Sequence, residues 1–278
     1  MDNSEAVESF ITDLALMGYS KHTIKAYRLT IENALEHAGK HYKKATTSDL
    51  KQFLLFLQRE KGCCLKTIRR HANALRTFFR SHELNTAESI RLPRVEKALP
   101  TFLNQGETER LLDSIVNKRD LIIVRLLYAS GLRVSELVNL NRDDIEGNMV
   151  KVHSGKGRKD RITYMDDRTL ELIREYLGER EDENPALFVS RRKKRLSDRS
   201  IEALVKKHAK RAGIRKNVTP HTLRHTFATH LLQNNANIVV IQKLLGHASL
   251  ATTQIYTHVT DEYKKETYLN SHPLSNGK

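Results

Sequence analysis

The segment from His221 to His225, His-Thr-Leu-Arg-His, holds the densest set of side chains that could act on a phosphate. His221 and Arg224 are three residues apart, so on a helix they share one face. A histidine transfers protons near neutral pH, and an arginine binds a phosphate through two parallel hydrogen bonds. The pair therefore points to phosphate chemistry, although the same spacing also occurs on ordinary helix surfaces.

His221 and His225 also have the spacing of zinc ligands on a helix, but other features argue against a metal site. Thr222 stands where the H-E-x-x-H motif has its glutamate. Cys63 and Cys64, the two cysteines of the chain, are adjacent, which excludes a disulfide framework and a four-thiolate site. The sequence has neither a Walker motif nor carboxylates spaced as in a two-metal nuclease. We therefore expect no metal and no cofactor.

Further candidates follow in a fixed order along the chain. Arg133 follows a glycine that ends an apolar helix, and Lys156 lies in a basic turn between two glycines. His247 follows Gly246, and Tyr256 comes nine residues later. Taken singly, a histidine after a glycine cap or a tyrosine near a helix is usually structural. The ordered combination favours one shared site, formed by Arg133, Lys156, His221, Arg224, His247 and Tyr256.

The charge of the chain indicates the kind of partner. Its 278 residues include 48 Lys and Arg against 33 Asp and Glu, a net charge of +15. Such a surplus is typical of proteins that bind nucleic acid, with an acidic membrane surface as the second possibility. Charge runs can also be solvated helix faces. The candidate DNA contacts are Lys66, Arg69, Arg70 and Arg76 on the fourth predicted helix, and the run Arg191, Arg192, Lys193, Lys194 and Arg195.

Apolar periodicity predicts the elements that must position these residues. Four amphipathic helices over residues 1–92 form a helical bundle, with Ser20 capping the second and Thr47 or Ser48 capping the third. Residues 93–100, bracketed by prolines, form a linker. Residues 101–278 form a mainly α domain with a small antiparallel sheet, made of the strands Met149–Val152 and Arg161–Tyr164 and a third strand over 186–189.

No segment has the features of a membrane span or a secretion signal. The apolar stretch 121–129 is interrupted by Arg125 and falls short of the roughly 20 residues that a span requires. Residues 1–5 lack a basic region ahead of an apolar one. We therefore expect a cytoplasmic location.

The ordered motifs resemble those of the tyrosine recombinases, the phage integrase family. The likeness is greatest to the compact Xer-type recombinases, including their archaeal version. It runs essentially the full length, because a four-helix SAM-like DNA-binding module is also typical of the family. The matching segments are Ala-Ser-Gly-Leu-Arg-Val-Ser-Glu-Leu at 129–137, Gly-Lys-Gly at 155–157, His-Thr-Leu-Arg-His-Thr-Phe-Ala-Thr at 221–229, Leu-Leu-Gly-His at 244–247 and Tyr-Thr-His at 256–258.

The resemblance implies a role for each residue. Tyr256 would attack the scissile phosphate and form a covalent 3′-phosphotyrosine, with His221 as its base. Arg133 and Arg224 would hold the non-bridging phosphate oxygens. Two further roles follow for Lys156 and His247: the lysine would protonate the leaving 5′-oxygen, and the histidine would add a hydrogen bond to the phosphate.

Other implications leave alternatives open. Glu136 either orients Arg133 or forms a surface salt bridge. The tail 261–278 either packs on a neighbouring protomer or frays. The resemblance implies double-stranded DNA as partner, two monomers on each site and a tetramer at synapsis. It suggests resolution of chromosome dimers, which the lack of an added N-terminal domain favours. The alternatives are integration or excision of a mobile element, a type IB topoisomerase-like activity, and a non-catalytic DNA-binding protein.

Overall fold

The chain forms two compact units, Met1–Ala98 and Leu99–Lys278. The computed structural model describes residues 2–93, 101–153 and 160–246. Lys156, His247 and Tyr256, most of the predicted linker and the predicted tail therefore lie outside the described residues.

The N-terminal unit is a bundle of amphipathic helices whose apolar faces meet in one core. Phe10 and Phe78 lie at its centre, edge to face with ring centroids 5.4 Å apart. Ser20 caps the second helix as predicted, accepting a hydrogen bond from Thr23. The cap of the third helix is Thr46, one residue before the predicted position, because Thr46 forms a capping box with Asp49. The helices are α1 Asn3–Leu16, α2 Lys21–Ala38, α3 Thr47–Arg59 and α4 Leu65–Ser81.

The C-terminal unit is mainly helical, and its other elements pack around the helix α6, Lys118–Ser130, which is apolar on most of its surface. Ile122, Ile123 and Leu127 of this helix are completely buried. Asn104 and Glu107 form a capping box at the start of the helix α5, Gln105–Asp113. The helices are α5 Gln105–Asp113, α6 Lys118–Ser130, α7 Val134–Asn139, α8 Asp167–Gly178, α9 Asp198–Arg211, α10 Pro220–Gln233 and α11 Ile238–Leu245.

One antiparallel sheet of three strands completes this unit. Its strands are β1 Ile145–Glu146, β2 Met149–Val152 and β3 Arg161–Tyr164, in the order β1-β2-β3. The last residue of β2, Val152, pairs with Arg161, the first of β3, so the segment that connects the two strands in the sequence includes Lys156. The predicted strand at 186–189 is wrong. That run is buried throughout, and it makes only isolated bridges, from Ala186 to Asn141 and from Val189 to Arg195.

None of the helices in the described ranges combines the length and the apolarity that crossing a membrane requires.

Candidate active site

A tight reversal of the chain between α6 and α7 positions Arg133 and Glu136. Gly131 ends α6 in the left-handed conformation, with φ of +61°. Arg133 is the N-cap of α7, and its backbone N–H donates to the carboxylate of Glu136 at 2.8 Å. The same carboxylate accepts from the Arg133 guanidinium. Since the Glu136 side chain is only 9% exposed, the structure favours an orienting role for it over a surface salt bridge.

Glu136 is the centre of a cluster of three arginines. Arg161 donates to both carboxylate oxygens, Nη1 to Oε1 and Nη2 to Oε2, each at 2.8 Å. Nη1 of Arg224 lies 3.8 Å from Oε2. Burial alone would raise the pKa of Glu136, but hydrogen bonds from Arg161 and the Arg133 backbone, with the charges of both arginines, lower it to about 2. Three positive charges and one negative charge leave the cluster at +2.

The same arginines hold the C-terminal end of α11, whose last carbonyls have no partner within the helix. Arg161 Nε donates to the Leu244 carbonyl at 2.8 Å, and Arg224 Nη2 to that of Leu245 at 2.6 Å. Arg133 Nη2 donates to the Gly246 carbonyl at 3.3 Å. The cluster thus fixes three successive residues immediately before position 247.

The reversal at Gly131 allows no side chain. Its carbonyl accepts a hydrogen bond from Arg224 Nη1 at 2.5 Å. A Cβ atom on Gly131 would lie 2.5 Å from Cδ1 of Phe227 and 2.9 Å from Cδ2 of Leu245. These separations are shorter than van der Waals contact, so the glycine permits α6, α10 and α11 to approach one another.

We expect Gly131→Ala to lower the free energy of unfolding by about 2–4 kcal/mol, because left-handed strain adds to a steric clash. Urea unfolding followed by circular dichroism measures it. Gly147→Ala is the matched control, since Gly147 has φ of +55° and no atom within 4 Å of its Cβ position. That control should lose only about 1 kcal/mol. Equal losses in the two variants would contradict the clash.

Helix α10 supplies His221 and Arg224, but in different environments. Thr219 and Thr222 form the capping box, and Pro220 occupies the first turn. Arg224 is 1% exposed, whereas His221 lies on the surface at the start of the helix. The helix therefore directs the arginine into the cluster around Glu136 and leaves the histidine accessible.

His225 lies beside His221, with ring centroids 4.5 Å apart. Burial, followed by the charges of His221 and Arg224, lowers the pKa of His225 to about 4. It is therefore neutral near pH 7. Within the described ranges, no three His, Cys, Asp or Glu side chains are grouped as metal ligands would be.

A groove of about 710 Å³ lies beside the site and is lined by Arg133, by His221 and by residues of α9 that include Glu202. Arg199 and Lys206 line it from α9 and are exposed. Neither residue belongs to the motifs that predicted the site. Their spacing of seven, two helical turns, was an available signal.

The basic residues predicted to bind DNA fall into two groups. Those that remain exposed are Lys66, Arg69, Arg70, Arg191, Arg192, Lys193 and Lys194. Arg76 instead donates to the carbonyls of Glu88 and Ile90 at 3.1 and 2.6 Å. Arg195 donates to the carbonyls of Val138 and Leu140 and to Asn141 Oδ1. These bonds favour a structural role for Arg76 and Arg195 over contact with DNA.

A helical bundle precedes a mainly helical unit, in which three arginines surround a glutamate beside a short antiparallel sheet. This is the architecture of a tyrosine recombinase, a class of DNA breaking-rejoining enzymes. The chain belongs to the phage integrase family: the family's own profile matches residues 101–263, and that of its N-terminal SAM-like domain matches residues 7–86.

Individual relatives resemble nearly the whole chain. Tyrosine recombinase XerA of Pyrococcus furiosus is 42% identical over 98% of this chain and 96% of its own length. The crystal structure of a XerA recombinase is 34% identical, with a TM-score of 0.58, over 98% of this chain and 99% of that one. The structure of the XerH site-specific recombinase bound to its difH substrate, in a post-cleavage complex, is 27% identical, with a TM-score of 0.72, over 88% and 78% of the two chains.

Proposed function

We propose that this Xer-type recombinase cuts and rejoins double-stranded DNA at one specific site through a covalent 3′-phosphotyrosine, and thereby resolves chromosome dimers. The observation that carries the proposal is the cluster around Glu136, which gathers Arg133 and Arg224 from separate helices with a net charge of +2. Phosphoryl transfer is stabilised by positive groups that the protein holds in place beside the non-bridging oxygens of the phosphate.

Each proposed step is assigned to a side chain of this protein. Tyr256 attacks the phosphorus, and His221 accepts its proton, because an unperturbed phenol has a pKa of about 10. Arg133 and Arg224 stabilise the charge of the transition state through their planar forks. Lys156 protonates the leaving 5′-oxygen, which becomes a hydroxyl.

His247 adds a hydrogen bond to the phosphate, and the bonds that hold residues 244–246 support its proximity to the arginines. The phosphotyrosine conserves the energy of the broken bond. The 5′-hydroxyl of a second duplex can therefore rejoin the strand without ATP.

DNA is the proposed partner on two grounds. The chain carries a charge of +15, and the related XerH was solved on its DNA substrate. We propose a dimer on each site and a tetramer when two sites synapse, since strand exchange joins two duplexes. We propose a cytoplasmic location, which is where the chromosome of a cell without a nucleus lies.

The test is formation of a covalent adduct on DNA. Adducts mapped across the host genome should concentrate at one chromosomal site. A duplex of that site, nicked next to the cleavage position, should then trap the wild-type protein. Relaxation of plasmids without the site would instead support topoisomerase activity, and adducts at the ends of a mobile element would support integration or excision. Binding with no adduct on any DNA would leave a non-catalytic role.

The exposed face of α4 gives a separate prediction about affinity. Replacing Lys66, Arg69 and Arg70 by alanine should weaken binding to all DNA sequences and reduce the slope of log K against log salt by about 2 to 3. Fluorescence anisotropy from about 50 to 200 mM salt measures this. Arg76→Ala is the control: its bonds to Glu88 and Ile90 predict lower thermal stability with an unchanged slope. A full-sized slope in the triple variant would contradict phosphate contact by this face.

A further inference from the structure

We propose that Arg161 is a positioning residue of this reaction. It offsets the charge of Glu136, so that the charges of Arg133 and Arg224 remain available to the scissile phosphate. It also fixes the end of α11. This inference rests on the proposed function. Arg161 lies in none of the motifs that match the family, and none of the proposed steps is assigned to it.

Arg161 occupies a junction between three parts of the site. It is the first residue of β3 and follows Lys156 by five residues in the sequence. Its guanidinium reaches Glu136 on α7 through two bonds and Leu244 at the end of α11 through a third. Its side chain is only 8% exposed, so solvent screens these interactions weakly.

The charge balance explains why a third arginine is needed. Without Arg161, the Glu136 carboxylate would have to be satisfied by Arg133 and Arg224 alone. A buried carboxylate that loses its main partner draws neighbouring cations towards it, because an uncompensated charge in a protein interior is costly. Arg224 Nη1, now 3.8 Å from Oε2, would be drawn closer, and the net charge of the cluster would fall from +2 to +1.

The stem of Arg161 also packs against the residue before His247. A Cβ atom on Gly246 would lie 2.9 Å from Cδ and 3.2 Å from Nε of Arg161. The glycine has φ of +62°, so a side chain at this position would be strained as well as too close to the arginine. A lysine would retain the charge but could not form the paired bonds to Glu136 and the third bond to Leu244 together.

The experiment measures single-turnover adduct formation on the nicked substrate, with DNA affinity and melting temperature. We expect Arg161→Gln to form the adduct on the order of 10²-fold more slowly than wild type, as after loss of one transition-state donor, with DNA affinity little changed. The double variant Arg161→Gln/Glu136→Gln restores the charge of +2, and should be at least about tenfold faster than Arg161→Gln, which corresponds to 1.4 kcal/mol. A purely structural role predicts no such rescue.

Arg180→Gln is the matched control. The Arg180 side chain is 5% exposed and pairs with Asp182, and it donates to the carbonyls of Asn184, Ala186 and Leu187. Its loss should lower the melting temperature and leave the adduct rate unchanged well below that temperature. The proposal is overturned if Arg161→Gln matches this control in rate, or if the double variant is no faster than Arg161→Gln.

A second variant covers the case in which Arg161→Gln does not fold. Arg161→Lys keeps the charge and loses the fork, and it should be about tenfold slower than Arg180→Lys, a change intermediate between none and loss of a donor. Equal rates for the two lysine variants overturn the inference. Wild-type protein that forms no adduct at all would refute the proposed function instead, so the two failures are distinguishable.

Discussion

Tyr256→Phe is expected to abolish the covalent protein–DNA adduct while leaving DNA affinity at the wild-type level. Phenylalanine keeps the ring and removes only the hydroxyl oxygen that would bond to phosphorus. Because no other group can form the phosphotyrosine, the loss should be complete rather than graded. No other substitution is expected to reduce adduct formation as much.

The measurement is adduct formation on the nicked substrate, resolved by denaturing electrophoresis, beside a binding assay on the intact duplex. Tyr263→Phe provides a matched control, since it makes the same chemical change seven residues later and should retain the adduct. An adduct that persists in Tyr256→Phe would show that another residue is the nucleophile. Loss of DNA binding in the same variant would show that the hydroxyl serves binding.

Arg224→Lys is expected to have the second largest effect. A guanidinium forms two parallel bonds to a phosphate, whereas an ammonium is a single point charge. Arg224 also bonds to the carbonyls of Gly131 and Leu245, and a lysine could not keep both in place. We expect the rate of adduct formation to fall on the order of 10²–10³-fold.

The same substitution should lower stability, because the side chain is 1% exposed and its carbonyl partners would lose their donors. Rate and melting temperature must therefore be measured together, at a temperature where the variant is folded. Arg180 is a buried arginine outside the cluster. Arg180→Lys should therefore lower the melting temperature without slowing adduct formation, which separates the effect on stability from the effect on rate. If Arg224→Lys formed the adduct as fast as this control, Arg224 would not bind the phosphate.

Local patterns predicted most of the helices. Ser20 caps α2 as predicted, because capping depends on side chains within a few residues of the helix end. The cap of α3 was missed by one residue, since Thr46, Thr47 and Ser48 can all cap and only the bond to Asp49 selects Thr46. The strand predicted at 186–189 was wrong for a different reason. An apolar run shows that a segment is buried, and its hydrogen-bond partners depend on distant residues.

The sequence by itself determined the fold class and the order of the six candidate residues, because helical spacing and caps are local properties. Only the tertiary structure decided which partner each arginine binds. Arg161 is 25 residues from Glu136 and 83 from Leu244, while Arg76 and Arg195 use their guanidinium groups on backbone carbonyls. An arginine looks the same in a sequence whether it faces DNA, a carboxylate or a carbonyl. Its role is set by which distant atoms the folded chain brings within about 3 Å of it.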